Sequence, residues 1–256
     1  MILRRLTNAL KEQNWTTILI EFVLLVSGVF LGIQVSNWNQ AQTDARLGQD
    51  YIKRLTRDLD ENLASASAQS AYYAAVLVSV RKTDALMSEP NPDPRQLVIN
   101  AYRATEIIYT APVRATWDQI VSSGHLSLLG NDAAESKLSR YYAFDTEQDV
   151  YRMGLASTYR QVVRKIIPMD MQIAIRKGCS DVVDSHGYIV GFSENCQFDA
   201  DPMDIQAVAA ELRNNPAVAA ELRYQYSFAA SASPNIESTK TATQRALAVL
   251  RKERVP

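Results

Sequence analysis

Residues 16–35, TTILIEFVLLVSGVFLGIQV, form an apolar run broken by a single charge, Glu21. An α-helix needs about 20 such residues to cross a hydrocarbon core of about 30 Å. Trp15 and Trp38 flank the run as interface anchors, at the depth where amphipathic rings settle among headgroups. This sets the plan of the chain: a transmembrane helix over 16–36, a short segment 1–15 on one side, and residues 37–256 on the other. Two other readings share the pattern. One is a buried core helix of a soluble domain, which needs neither this length nor tryptophan at both ends. The other is a cleaved signal peptide, whose apolar region is about 7–15 residues and leads to a small-x-small site. Gln34 and Val35 stand at this exit, so the expectation is an uncleaved signal anchor in the lipid bilayer.

Basic residues set the orientation. Arg4, Arg5 and Lys11 precede the span, and the first basic residue after it is Arg46. Positive charge stays in the cytoplasm, so the N-terminus is expected there and the C-terminal domain in the periplasm. The bias is modest, because Lys53, Arg54 and Arg57 follow soon after. Residues 1–15 are too short to fold. At most they lay a small amphipathic helix on the cytoplasmic face, and no output domain fits there.

Within the span, Glu21, Gly28 and Gly32 share a face. At about 100° per residue, steps of 7 and 11 bring each glycine within roughly 20° of Glu21. Gly28 and Gly32 make a G-x-x-x-G pair, which lets two helix backbones approach closely. A carboxyl group in lipid is costly and seeks a partner or a proton. The face is expected to be a contact surface, for a homo-oligomer or another membrane protein. The alternative is a protonated Glu21 near the interface beside incidental glycines.

The run Glu21…Gly28-Val29-Phe30-Leu31-Gly32-Ile33-Gln34-Val35-Ser36-Asn37-Trp38-Asn39 resembles the opening of a bacterial family of single-pass membrane proteins known as domain of unknown function 6090. Thr116-Trp117-Asp118-Gln119-Ile120-Val121-Ser122-Ser123-Gly124-His125-Leu126-Ser127-Leu128-Leu129, with Leu138, Tyr141 and Tyr142, is a second similar stretch. The likeness covers the first 60 residues and the middle, and covers the last 80 poorly. It implies a bacterial inner-membrane protein with a helical remainder. It implies no activity, so no functional residue carries over.

The chain of 256 residues has a net charge of −1, which gives no electrostatic case for nucleic acid. Nine glycines and nine prolines amid abundant Ala, Leu, Arg, Glu and Gln favour helix. The expected fold class is all-α: an N-terminal membrane helix followed by a bundle of long, kinked helices with one small irregular, disulfide-closed loop.

Residues 39–87 contain no proline and one glycine, Gly48. Leu47, Tyr51, Leu55, Leu59, Leu63, Ala66, Tyr73, Leu77 and Val80 recur at helical spacing, with charges opposite. This predicts a helix running on from the membrane. Its stripe packs either on its own domain or in an intermolecular coiled coil. The prolines of SEPNPDP stop it. Asp93 caps and Pro94 opens the next helix, expected to carry Leu97, Val98, Ala101, Ile107 and Ile108 until Pro112. A short helix over 113–123 ends at Gly124, a left-handed cap, and a buried turn follows from His125. Asn131 and Asp132 cap a helix expected to run from Ala133 to about Arg176. It is lined by Leu138, Tyr141, Tyr142, Phe144, Val150, Met153, Leu155 and Tyr159 as core, and Pro168 is expected to kink it without ending it.

Residues 178–202 break the pattern. Val182-Val183 and Tyr188-Ile189-Val190 are expected to pair as a small hairpin around His186-Gly187. Cys179 and Cys196 close a loop whose disulfide is worth about 3 kcal/mol in the chain-entropy model. A zinc site of Cys179, His186 and Cys196 is the sharper alternative, but it lacks paired C-x₂₋₄-C spacing. Asp201 caps a helix opened by Pro202, and Pro216 opens another. Pro234 is expected to kink or reset that helix before a terminal one over 236–254.

No catalytic constellation emerges. His125 follows Ser122-Ser123-Gly124, which is not a G-x-S-x-G elbow, and His186 sits among acids without a nucleophile signature. Asp199, Asp201 and Asp204 surround a helix start, where acids are favoured, and lack the EF-hand pattern. No phosphate loop or dinucleotide fingerprint is present, so no cofactor is expected and no enzyme. The leading expectation is a structural or accessory interaction protein, assembling through its membrane helix and membrane-proximal helix. The alternative is a periplasmic ligand-binding module, sensor-like and acting through a partner. An apolar pocket between helices with a few converging polar groups favours the second.

Overall fold

A computed structural model of the chain describes residues 15–130 and 132–252, without the side chains of 132–136 and 252. The basic residues Arg4, Arg5 and Lys11, the short helix expected before Trp15, the Asn131 cap, and Glu253 and Arg254 lie outside the described residues.

The spine is α1 (Trp15–Ser88), one helix of 74 residues, about 110 Å long at 1.5 Å per residue. With no proline and one glycine across 39–87, nothing interrupts propagation once a turn has formed. It is the one described helix long and apolar enough to cross a membrane, and none of its apolar window is buried. That apolar window is therefore not part of the core of this fold. From Gly48 onward the same helix turns its stripe inward: Tyr51, Leu55, Leu59, Ala66, Tyr73 and Val80 are all buried. The stripe packs on its own domain.

The partner of the spine is α9 (Pro216–Lys252), antiparallel to α1. Ser70 meets Ser233 at 3.1 Å, and Arg251 meets Asp60 at 3.2 Å. Pro234 lies inside this helix and does not reset it, so the separate terminal helix expected over 236–254 is instead the continuation of α9. The ring forfeits one backbone bond, but Ala232 and Ile236 stay buried on either side of it.

Around this pair the chain winds α2 (Pro94–Arg103), α3 (Ala115–Ser122), a 3₁₀ turn (Leu126–Leu129), α4 (Asp132–Tyr142), α5 (Thr146–Leu155), α6 (Thr158–Ile166), α7 (Met169–Gly178), strands β1 (Asp181–Val183) and β2 (Ile189–Phe192), and α8 (Pro202–Asn214). The class is all-α with one hairpin. Two apolar clusters fill it. One gathers Tyr51, Leu55, Leu59, Trp117, Leu138 and Leu250 at the end nearer the apolar segment; the other gathers Tyr73, Val76, Leu97, Tyr159, Leu212 and Ile236 beyond it.

Three expectations need correction. First, α2 ends at Arg103, so Ile107 and Ile108 are not helical. The Thr105 hydroxyl donates to the Tyr102 carbonyl at 2.6 Å, a local bond that competes with the ladder. Beyond it the chain runs extended against α1, and polar side chains of α1 take the place of a neighbouring strand. Asn62 bonds both the N–H and the C=O of Val113 (2.6 and 2.9 Å), and Gln69 bonds both groups of Thr110 (3.1 and 3.4 Å). The Tyr73 hydroxyl donates to the Ile108 carbonyl at 2.9 Å.

Second, residues 133–176 form four helices, not one. Asp145 caps α5 by accepting from Gln148 N, and Ser157 caps α6 by accepting from Arg160 N. Each side chain offers the backbone an alternative to helix continuation. Pro168 ends α6 outright: Ile167 before it is extended (φ −76°, ψ 117°), as a residue preceding proline prefers. Third, the aromatic stripe is not all core. Leu138, Tyr142 and Tyr159 are buried, but Phe144 is 74% exposed, because it falls in the break between α4 and α5, and Met153 and Leu155 of α5 are exposed as well. The expected turn after His125 is a 3₁₀ turn in which Leu129 alone is buried.

The hairpin forms as expected. Asp181 faces Phe192 and Val182 faces Gly191, with a bulge between Val182 and Val183. Gly187 carries the turn at φ +87°. Cys179 and Cys196 are bonded, with Cα atoms 4.4 Å apart. Phe192 packs edge-on to Tyr72 of α1, 5.2 Å between centroids. Arg164 joins this end, lying 3.6 Å over the Tyr102 ring and 2.6 Å from Glu106.

Candidate functional site

A groove of about 630 Å³ opens between α4 and the C-terminal half of α9. Helix periodicity builds it. Lys137, Arg140, Tyr141 and Phe144 recur at three- and four-residue steps and present one face of α4 and the residues just after it. Ser238, Ala242, Arg245 and Val249 do the same on α9. Ala242 and Ala246 are small where two helices would otherwise interdigitate, and the space stays open. Leu138 and Leu250, one step round each helix, are buried in the core and hold the walls in place.

The groove is apolar inside and basic at the rim. Lys137, Arg140 and Arg245 are exposed, and none has an ion pair among the described residues. Lys240 and Arg251 nearby are paired, with Glu237 and Asp60. The inner end adjoins a smaller chamber of about 30 Å³ that shares Tyr141, Phe144 and Thr239 with the groove. That is room for a water. Glu147 of α5 lines this chamber and is buried. Burial pushes its carboxyl up to about 7, the neighbouring Asp145 adds to the rise, and hydrogen bonds from its own backbone and from Thr239 oppose it. Burial also pushes the Tyr141 hydroxyl up, against hydrogen bonds with Thr243 and Asn62. The arrangement offers an apolar bed, three cations at the mouth, and one carboxyl that changes charge near neutrality.

The residues singled out in the sequence lie elsewhere. Gly28 and Gly32 face open space, and Trp15 and Trp38 are 72% and 65% exposed. Glu21 Oε2 is shielded and has no hydrogen bond among the described residues. His125 Nδ1 pairs with the Tyr51 hydroxyl at 2.9 Å, which pins the 3₁₀ turn to α1. His186 is exposed in the hairpin turn, whose Asp184 carboxylate accepts from His186 N and Tyr188 N. These backbone bonds, that to Tyr188 first, hold the Asp184 carboxyl below its usual range. Asp199, Asp201 and Asp204 border a shallow cleft with Asp170. Among the described residues no three His, Cys, Asp or Glu side chains converge as metal ligands.

Sequence reasoning missed the groove and Glu147. The available signal was the pair Ala242 and Ala246 flanked by Arg245, small residues beside a cation on one helix face. It pointed to a gap only once the facing helix was known. Compared with family models, with curated proteins and with solved structures, the chain finds no match in any of the three. Fold and groove together define a helical bundle that carries one candidate membrane helix and an interhelical cavity, and the functional argument rests on that geometry.

Proposed function

We propose that this chain is a membrane-anchored ligand-binding module that acts through a partner met by its membrane helix. The carrying observation is the groove of about 630 Å³, within the 300–1,000 Å³ range of small-molecule sites, apolar with a few polar groups at its edge. One of its walls, α9, lies along α1, and α1 continues without a break into the apolar segment. Binding that shifts α9 would therefore act directly on the helix in the membrane. In this reading residues 16–36 span a bacterial inner membrane, the N-terminus is cytoplasmic and residues 37–256 are periplasmic. The disulfide supports that side, because such bonds persist in oxidising compartments. The reading assigns no reaction to the groove.

The second reading is an accessory assembly protein with no ligand. The face of Glu21, Gly28 and Gly32 favours it, since a shielded Glu21 Oε2 with no hydrogen bond among the described residues, beside two open glycines, suits a helix contact. Native mass spectrometry separates the two, on full-length protein taken from its own membrane in polymer nanodiscs, without detergent. The ligand-binding reading expects a small molecule retained by the wild type and lost from Ala242→Trp, which fills the groove floor. A bare chain in a fixed oligomer in both proteins would sink it and leave the assembly reading.

A further inference from the structure

Three cations without an ion pair among the described residues surround an apolar trough, and that pairing specifies a ligand class. We infer that the groove binds a water-dispersed, single-chain amphiphile with an anionic head, the head held by Lys137, Arg140 and Arg245 and the chain laid along Ala242, Val249 and Phe144. The inference rests on the ligand-binding reading and narrows it.

The argument for the head is charge complementarity. Lys137 and Arg140 lie one turn apart on α4, and Arg245 faces them from α9 across the same opening. Arg54, Arg114 and Lys240 each have a carboxylate, Asp50 at 2.9 Å, Asp118 at 3.0 Å and Glu237 at 2.8 Å. The three at the groove have none among the described residues. Like charges set around one opening repel, and an anion there relieves all three at once.

The argument for the chain is Phe144. A phenyl ring 74% exposed at the lip of an apolar groove is surface that a hydrocarbon chain would cover, and Ala242 and Val249 are half-exposed below it. The inner chamber, about 30 Å³ and lined by Glu147, Asp145 and an Arg114 already paired with Asp118, is too small for a chain or a head group, so the head belongs at the mouth.

Distance argues that the amphiphile comes from water and not from the bilayer in place. The pairs Arg251–Asp60 and Ser70–Ser233 set the groove beside residues 60–70 of α1. Asp60 is 24 positions beyond Ser36, about 36 Å along the helix. A lipid still seated in the membrane does not reach so far.

The test uses the full chain in lipid nanodiscs, titrated calorimetrically with octanoate, octanol and acetate, with heats from empty nanodiscs subtracted. Octanoate is expected to bind saturably and at least about tenfold tighter than octanol, a difference of 1.4 kcal/mol, with no saturable heat from acetate. Replacing Lys137, Arg140 and Arg245 together by Gln is expected to bring octanoate down to octanol. All three are exposed, so the fold should tolerate the change. Ala242→Trp is expected to abolish both, with Val249→Trp as a second block should the first lower the melting temperature. Octanol binding as tightly as octanoate would overturn the anionic head while the ligand-binding reading stood. Acetate binding as tightly as octanoate would overturn the chain. If octanoate failed to bind a folded protein that retained a native small molecule, the amphiphile would fall alone; if no native molecule was retained, the wider reading would fall with it.

Discussion

Glu147 is the residue whose environment departs most from what its neighbours in sequence suggest. TEQD reads as the acidic first turn of a helix, and such acids are normally solvated. Here the carboxyl is buried behind Tyr141 and Thr239, with its pKa near 7 against an ordinary 4.5. The native state thus holds a proton between those values that the unfolded chain has released. Stability from this group is highest below about pH 4.5 and falls as pH rises through 7, by about 3 kcal/mol in all. Melting curves of Glu147→Gln should lack that part of the decline between pH 5 and pH 8; a slope equal to the wild type's would refute the assignment. Gly48 shows a different residue-scale constraint. A methyl group there would overlap the Leu128 carbonyl oxygen, and backbone on both sides leaves little give. Gly48→Ala should cost about 1–3 kcal/mol in thermal unfolding, although alanine is the better helix former. The sequence showed a lone glycine in a long helix, but the reason for it lies 80 residues away.

Local signals placed the elements they controlled. The α1 stripe, the Asp93 and Asp201 caps, the Gly124 cap and the hairpin around Gly187 were all legible, because each is decided by a few adjacent residues. The breaks at Asp145 and Ser157 were hidden within an apolar periodicity that continued across them, and the groove between α4 and α9 depended on which helix faced which. The extended stretch after α2 was hidden for the same reason: its hydrogen-bond partners are Asn62, Gln69 and Tyr73 on α1. Asn62→Ala would leave the N–H and C=O of Val113 unpaired. At about 1–3 kcal/mol for each stranded group, it should cost about 2 kcal/mol or more in denaturant unfolding. An unchanged midpoint would show that water replaces the amide at no cost. The hairpin carries a separable term. Replacing Cys179 and Cys196 together by Ser should cost about 3 kcal/mol and leave octanoate binding at the groove as it was, since no groove residue touches the disulfide. Loss of binding in a folded double variant would mean that the two regions are coupled.

At the scale of the whole molecule, one helix serves both as candidate membrane span and as spine of the bundle. Residues 37–46 of that helix are almost wholly exposed, so among the described residues only the helix itself joins the apolar segment to the body. A hinge there would isolate the two, but the sequence supplies none. On the proposed ligand-binding reading, occupancy of the groove is felt at the face of α1 that carries Glu21, Gly28 and Gly32. That claim is tested most directly by crosslinking in native membranes from Leu25→Cys, a position on the same seam, with the native cysteines tied up as a disulfide. The account expects the yield or the partner to change when Ala242→Trp fills the groove of an otherwise folded protein. Identical crosslinks from open and filled grooves would contradict it.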